Sequence, residues 1–163
     1  MLPSASTVRA QWSDHHPEMD TAAMEVIGLL KRITGELARA VEPLYDGAPL
    51  TAPEVDLLVP LRHLDQPVIA RRIADDRKMS RAGISKALAK LEKRGFIERR
   101  PSAADRRASL ISITEEGKAA LDALFPKQVE VESRLLAGLG DDRERVVEAL
   151  TLLARTFERG AHA

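Results

Sequence analysis

The sequence has no cysteine, few aromatic residues and no long apolar segment, and each lack excludes a class of protein. The absence of Cys from the 163 residues excludes disulfide scaffolds, cysteine-ligated zinc or iron–sulfur sites and cysteine nucleophiles. Aromatic residues are 3% against 44% hydrophobic residues, so a core must consist mainly of Leu, Ile, Val and Ala. A typical apolar run, Val26–Leu30, is too short to span a bilayer, and the N-terminus lacks a secretory-signal pattern. We therefore expect a cytoplasmic protein that does not bind membranes.

Signatures of catalysis and of metal binding are also missing. The sequence contains no nucleophile elbow, no phosphate-binding loop and no dinucleotide fingerprint. His15 and His16 are adjacent, and His63 stands alone, so none has the spacing with which a helix presents two ligands to one ion. We expect neither an enzyme nor a bound cofactor or metal.

The formal net charge of zero conceals an uneven distribution. The stretch Gln66–Arg107 holds 13 basic and 5 acidic residues and carries +8, whereas the rest of the chain carries −8. A basic middle between acidic flanks indicates a module that binds a polyanion, although an uneven solvated surface would give the same count.

Helical patterns flank this basic middle. After an N-terminal extension containing Trp12, a long amphipathic helix is predicted to begin at Asp20 or Thr21. Its apolar stripe consists of Leu30, Ile33, Leu37, Val41 and Leu44. At the other end, a helix capped by Thr114 and a last helix capped by Asp141 or Asp142 are predicted. The last helix has an apolar seam formed by Val146, Leu150, Leu153 and Phe157.

Between these flanks, the sequence predicts three short helices and a hairpin. The first starts at the capping box Thr51–Glu54, and the second is predicted over Val68–Lys78 with Ile69 and Ile73 facing inward. The third starts at the N-cap Ser80 and ends at Gly95, and its inward residues are Ile84, Leu88 and Leu91.

The strand-like segments Phe96–Arg100 and Ala108–Ile113 then flank the charged turn Pro101–Arg107. The expected fold is mainly α with a small β-hairpin wing, a winged helix-turn-helix flanked by dimerisation helices. The expected parts are an N-terminal extension (1–19), a dimerisation helix (20–50), the winged helix-turn-helix (51–113) and C-terminal dimerisation helices (114–163).

The outward face of the third short helix suits DNA reading. Its N-terminal half has small side chains that let the backbone approach base edges in the major groove, and its basic residues supply reach and charge. A solvated basic face on an ordinary amphipathic helix is the alternative, and the charged hairpin immediately downstream favours DNA. Candidate DNA-binding residues on this helix are Ser80, Arg81, Ala82, Ser85, Lys86 and Lys93.

Three motifs, in order and at matching spacing, resemble the MarR family of transcription regulators. Ser80–Arg99 is similar to that family's recognition helix and first wing strand, Asp105–Ala108 to its Asp-x-Arg wing signature, and Ile111–Gly117 to its second wing strand and the next helix start. The resemblance implies a homodimer that binds double-stranded operator DNA. It also implies that Arg107 enters the minor groove, that Asp105 braces the wing loop and that Arg106 lies beside them.

The N-terminal extension resembles that of a urate-responsive subgroup of this family. Trp12, Asp56 and Arg99 lie where three ligand-pocket residues of the subgroup would lie, but Ala87 stands where the subgroup has Arg. This resemblance implies a small-molecule, anionic effector. We expect a sequence-specific repressor, released by a ligand, acting as a homodimer on a pseudo-palindromic operator. The alternative is a winged-helix module for protein–protein contact.

Overall fold

The computed structural model describes residues 3–102 and 109–160, and these are mainly helical. The helices are α1 Ala5–His15, α2 Ala22–Val41, α3 Ala52–Leu58, α4 Ala70–Asp76, α5 Arg81–Lys93, α6 Glu115–Leu136 and α7 Arg143–Gly160. The strands are β1 Val68–Ile69, β2 Ile97–Pro101 and β3 Ser109–Ile113. Short 3₁₀ segments at Glu42–Tyr45, Val59–Leu61 and Ala137–Asp142 follow α2, α3 and α6. Trp12 of the N-terminal extension lies on α1. Nowhere in the described ranges is a helix long and apolar enough to cross a membrane.

Apolar side chains from α3, α4, α5, α6 and the sheet form one buried core. The predicted inward residues of α5, Ile84, Leu88 and Leu91, are at most 2% exposed. The other members are Leu50, Val55, Leu57, Leu58, Leu61, Ile73, Ala74, Phe96, Ile97, Ile111, Leu121 and Leu124. The middle of the chain therefore has a core of its own, and we refer to residues 50–124 as the winged-helix unit.

Side-chain caps start three helices of this unit. The predicted capping box of α3 is confirmed, since the backbone N–H of Thr51 donates to Glu54 Oε2 at 2.9 Å. Ser80 Oγ accepts from the N–H of Gly83 at 3.0 Å and starts α5. Thr114 Oγ1 accepts from the N–H of Gly117 at 3.0 Å and starts α6. Each cap satisfies a backbone donor that a helix start leaves without an intrahelical partner.

The prediction of one helix over Val68–Lys78 is wrong at its start. Val68 and Ile69 form β1, which pairs antiparallel with β3, and the helix begins only at Ala70. Two β-branched residues after Pro67 favour extended backbone, and pairing with Ile111 and Leu110 satisfies the open edge of β3. The sheet therefore has three strands in the order β1-β3-β2. As a result, Ile69 is 43% exposed, whereas Ile73 is buried as predicted.

The start of α6 packs against the beginning of the wing at a position that only glycine fits. A Cβ at Gly117 would lie 2.1 Å from the carbonyl oxygen of Phe96. Thr114 reinforces the contact, because its hydroxyl donates to the carbonyl of Gly95 at 2.6 Å and its N–H donates to Phe96. The wing and α6 are thereby held together closely.

The helices outside the winged-helix unit expose their apolar stripes. On α2, Ile33 is 56% exposed and Leu37 38%. On α7, Leu150 is 47% and Phe157 49% exposed, while Val146 and Leu153 are half-buried. An apolar groove of about 470 Å³ lies between α2 and α6 and is lined by Ile33, Leu37, Leu135 and Leu136. These faces bury little within a single chain.

Candidate nucleic-acid interface

Helix α5 presents a defined face to solvent because its opposite face is locked into the core. Ile84, Leu88 and Leu91 are buried, so side chains about half a turn away point outward. All six candidate residues on or before this helix are exposed, namely Ser80, Arg81, Ala82, Ser85, Lys86 and Lys93. The structure therefore places them together on the outer side of the winged-helix unit.

The two halves of this outward face differ in size and charge. Its N-terminal half carries the small residues Ala82 and Ser85 beside Lys86, and Ser80 is engaged in capping the helix through Gly83. Its C-terminal half is basic and includes Lys90, which is exposed but was not among the sequence candidates. The spacing of Lys90, four residues after Lys86 and three before Lys93, would have identified it.

A cleft beside α5 collects further positive charge. It measures about 710 Å³ and lies between α4, α5 and the sheet, with Arg71, Arg81, Arg99, Ser85 and Ser109 in its lining. Arg71 was counted in the basic stretch but was not named as a site residue. Arg71 lies 3.7 Å from Asp75 and Arg99 2.9 Å from Glu92, so part of this charge is compensated within the chain. Guanidinium groups next to a small-residue helix face nevertheless suit a phosphate backbone.

The wing itself is described only at its base. Strand β2 pairs with β3 in antiparallel register from Ile97 opposite Ile113 to Pro101 opposite Ser109, as the hairpin prediction requires. The predicted wing residues Asp105, Arg106 and Arg107 lie outside the described residues.

Arg94, at the end of α5, is a structural anchor rather than part of the exposed face. Its Nη1 donates to Glu54 Oε1 at 2.8 Å, its Nη2 donates to the carbonyl of Pro49, and its guanidinium lies 4.9 Å above the Phe96 ring. Burial would raise the pKa of Glu54, but hydrogen bonds from the Thr51 backbone and from Arg94 outweigh burial and lower that pKa. The ionised pair fixes the end of α5 to the start of α3.

Arg99 joins β2 to α5. Its Nη2 donates to the backbone carbonyl of Ser85 at 3.3 Å, and its Nε lies 2.9 Å from Glu92 Oε2. The Nε is shielded from solvent, and its contact with Glu92 is one of charge rather than an aligned hydrogen bond. A predicted ligand residue is thus engaged by the predicted recognition helix.

Among the described residues, Trp12 and Arg99 line separate pockets, and Asp56 lines neither of the two. Trp12 lies on α1, where its ring stacks on His16 with 5.4 Å between centroids. Asp56 is exposed on α3, and Arg99 lines the cleft beside α5. Burial and the nearby carboxylates of Asp56 and Glu132 raise the pKa of Tyr45. Asp56 is thus close enough to Tyr45 to affect it, and it is not among the residues that line the cleft beside α5.

Two polar contacts hold α6, one outside the winged-helix unit and one inside it. Tyr45 donates a hydrogen bond to Gln128 Oε1 in the middle of α6. Arg62, just after α3, donates to both carboxylate oxygens of Asp122 at 2.8 and 2.6 Å, and this contact lowers the pKa of Asp122. Helix α6 therefore belongs to both parts of the molecule.

Comparisons with known proteins agree with this architecture. The model of the MarR family matches residues 48–108. The chain is 29% identical over 147 residues to the HTH-type transcriptional regulator PecS of Dickeya dadantii, covering 89% of each chain. It is 32% identical over 112 residues to an uncharacterised HTH-type transcriptional regulator of Bacillus cereus, covering 68% of this chain and 74% of that one.

A solved structure shows the same fold. The chain aligns with the crystal structure of the S. aureus MepR–DNA complex with a TM-score of 0.72 and 22% identity, covering 78% of this chain and 95% of that one. The shared arrangement of a winged-helix unit between flanking helices agrees with the sequence matches. The chain belongs to the MarR family of DNA-binding transcriptional regulators.

Proposed function

We propose that the protein is a sequence-specific regulator that binds a pseudo-palindromic operator as a homodimer and represses transcription in the cytoplasm until a small anion releases it. The observation that carries the DNA-reading part is the face of α5. Its inner side is fixed in the core, and its outer side combines small residues, Ala82 and Ser85, with the basic Arg81, Lys86 and Lys93. Such a face fits the width of the major groove.

In this proposal, the N-terminal half of α5 reads bases and the flanking cations bind phosphates. Ser85 and Lys86 contact base edges, with Ser80, Arg81 and Ala82 close to the groove floor, and Lys93 contacts the backbone. The wing residues Asp105, Arg106 and Arg107 extend the contact into the adjacent minor groove, as the family resemblance implies. A base contact carries roughly 1–3 kcal/mol of discrimination, whereas a phosphate contact changes affinity on all sequences.

The dimer part of the proposal rests on the apolar faces that a single chain leaves uncovered. Ile33 and Leu37 of the α2 stripe and Leu150 and Phe157 of the α7 seam are 38–56% exposed, and monomeric proteins rarely expose large contiguous apolar patches. A two-fold pair would bury these faces and place two α5 helices about one turn of DNA apart.

An anionic effector would act through Arg99, Asp56 and Trp12. The support is the resemblance in the N-terminal extension, together with the closeness of Asp56 to Tyr45, which donates a hydrogen bond to Gln128 of α6. Because Glu92 already contacts Arg99, an anion that binds this guanidinium must compete with an internal carboxylate. A ligand relieves repression only to the extent that it prefers the DNA-free arrangement.

The test of DNA reading is selection of binding sites from random duplexes, followed by affinity measurements on the selected site and on scrambled DNA. Lys86→Ala should relax the base preference at one position in each half-site, and Arg107→Ala should weaken binding to both duplexes. Lys127→Ala is the control, because it makes the same charge change on α6, away from the proposed DNA-binding face of α5. If the wild type selects no sequence, the proposed function is wrong.

The effector is tested separately by fluorescence of Trp12, the only tryptophan. Urate, dicarboxylates, tricarboxylates and phenolic acids are titrated into the protein, and their effect on operator binding is measured in parallel. We expect an active compound to lose potency in Asp56→Asn and in Trp12→Phe. Equal release of DNA from the wild type and both variants would place the effector elsewhere.

A further inference from the structure

Glu92 is the only acidic residue of α5. The other charged residues of this helix are all basic, namely Arg81, Lys86, Lys90 and Lys93. Its side chain is 43% exposed, on the same helix that the proposed function lays into DNA. A free carboxylate there would repel phosphates and lower the affinity for any DNA. The structure supplies a reason for its presence, since Arg99 of β2 lies against it.

The contact between Arg99 and α5 has two points of attachment. Ser85 and Glu92 are seven residues apart, about 10 Å along the helix axis. The carbonyl of Ser85 points toward the C-terminus, whereas the side chain of Glu92 leans toward the N-terminus, so the two acceptors converge on one guanidinium. Arg99 therefore spans two turns of α5 from a strand of the wing.

Such a contact supplies what the core cannot. Ile84, Leu88 and Leu91 hold the inner face of α5 in the core through apolar packing, which is non-directional. The Arg99 guanidinium adds one directed hydrogen bond, to the Ser85 carbonyl, and one charge contact, with Glu92, and the two together restrain rotation and sliding of the helix. The side chain of Arg99 is 22% exposed, and its Nε is shielded, so loss of the Glu92 carboxylate would leave this charge poorly compensated.

We infer that Arg99 is a positioning residue for DNA reading, which through Glu92 and the Ser85 carbonyl fixes the orientation of α5 relative to the wing. The inference rests on the proposed function, because it assigns these residues to sequence preference rather than to general DNA affinity. Glu92 thereby reduces the charge attraction to DNA and improves discrimination between sequences.

The test separates two effects of Glu92→Gln. Charge predicts a change in the affinity for every duplex, whereas positioning predicts a change in the ratio of the affinities for selected and scrambled duplexes. Glu92→Gln makes α5 more positive, so charge alone predicts tighter binding to selected and scrambled duplexes by the same factor. The positioning role predicts that the ratio of the two affinities falls by up to about fivefold, the upper end of what exposed ion pairs supply. Glu98→Gln is the matched control: Glu98 lies on β2 but pairs with Arg100 of the same strand at 3.0 Å, and we expect its ratio to be unchanged.

Arg99→Lys and a double-variant cycle make the test independent of Glu92→Gln. Arg99→Lys keeps the charge but not the two-point contact, so the ratio should fall although general affinity remains. The combination of Arg99→Gln with Glu92→Gln should lower the ratio no further than the stronger single variant. Active concentrations are titrated with the selected duplex, so that any loss of folded protein does not enter the ratio.

The two proposals fail in different ways. If the wild type selects no sequence, the proposed function fails. If the wild type selects a site but Glu92→Gln and Arg99→Lys leave the affinity ratio unchanged, or if the double variant multiplies the effects of the single ones, the positioning role is overturned and the DNA-reading function stands.

Discussion

The winged-helix unit and the helices around it differ in how much of their apolar surface is buried within the chain. In the unit, Leu58, Leu88 and Leu91 are fully buried, and polar anchors such as Glu54 with Arg94 close its helix ends. In α2 and α7, regularly spaced apolar residues form equally clear stripes, and most of these residues remain exposed or half-buried. The difference teaches that one part of the sequence encodes a core within the chain, whereas the other leaves apolar surface uncovered, the surface on which the proposed dimer rests.

The largest expected effect breaks the core of the winged-helix unit. Leu88→Ala removes a fully buried side chain from the inner face of α5 and should lower the free energy of unfolding by about 2–5 kcal/mol. Denaturant unfolding followed by circular dichroism measures the change. A loss below about 1 kcal/mol, the size expected at surface sites, would show that this core is not what holds α5.

The next effect should appear in assembly rather than in folding of the winged-helix unit. Leu150→Glu places a charge in the apolar seam of α7 and should shift the protein from dimer to monomer in sedimentation experiments, since a buried Leu contributes roughly 1.5–3 kcal/mol. Leu152→Glu, on the other side of α7, is the control and should leave the dimer intact. If both variants sediment as dimers, the α7 seam does not form the dimer interface.

A smaller effect concerns the anchor between α3 and α5. Glu54→Gln removes the charged partner of Arg94 and should cost about 1–3 kcal/mol, as expected for a hydrogen bond to a charged group. Because the pKa of Glu54 is lowered in the folded protein, its ionised form stabilises the fold above its usual pKa of 4.5, and this contribution is lost as pH falls through the lower folded value.

The wild type should therefore lose more stability on acidification than Glu54→Gln does. Denaturant midpoints measured at neutral pH and below the usual carboxyl pKa give the comparison. Glu36→Gln, which removes an exposed carboxylate paired with Arg39 on α2, is the control. It should lose as much stability on acidification as the wild type does. Identical acid sensitivity of the wild type and Glu54→Gln would contradict the role of the anchor.

The features that the sequence predicts correctly are those that depend on neighbouring residues. Capping by Thr51, Ser80 and Thr114 and the buried stripe of α5 follow from spacing within one helix. Strand β1 was missed because its two residues become a strand only through pairing with β3, more than forty positions away.

In the candidate site, too, features within one helix are predictable from the sequence, whereas contacts between distant segments are not. Exposure of Ser85, Lys86 and Lys93 follows from helical periodicity, and the same periodicity would have shown Lys90. The engagement of Arg99 by Glu92 could not be predicted, because it depends on how β2 crosses α5. Arg94 is also a basic residue of this stretch. Only the fold shows that its guanidinium donates hydrogen bonds to Glu54 and to the Pro49 carbonyl.

The most direct test of the account is selection of binding sites from random DNA by the full chain, with the number of chains per selected duplex measured by sedimentation. If the winged-helix unit reads DNA and the outer helices pair two chains, the selected sequences should contain an inverted repeat whose half-sites are about one helical turn apart. Two chains should bind each duplex. A single unrepeated site bound by one chain, or no enriched sequence, would contradict it.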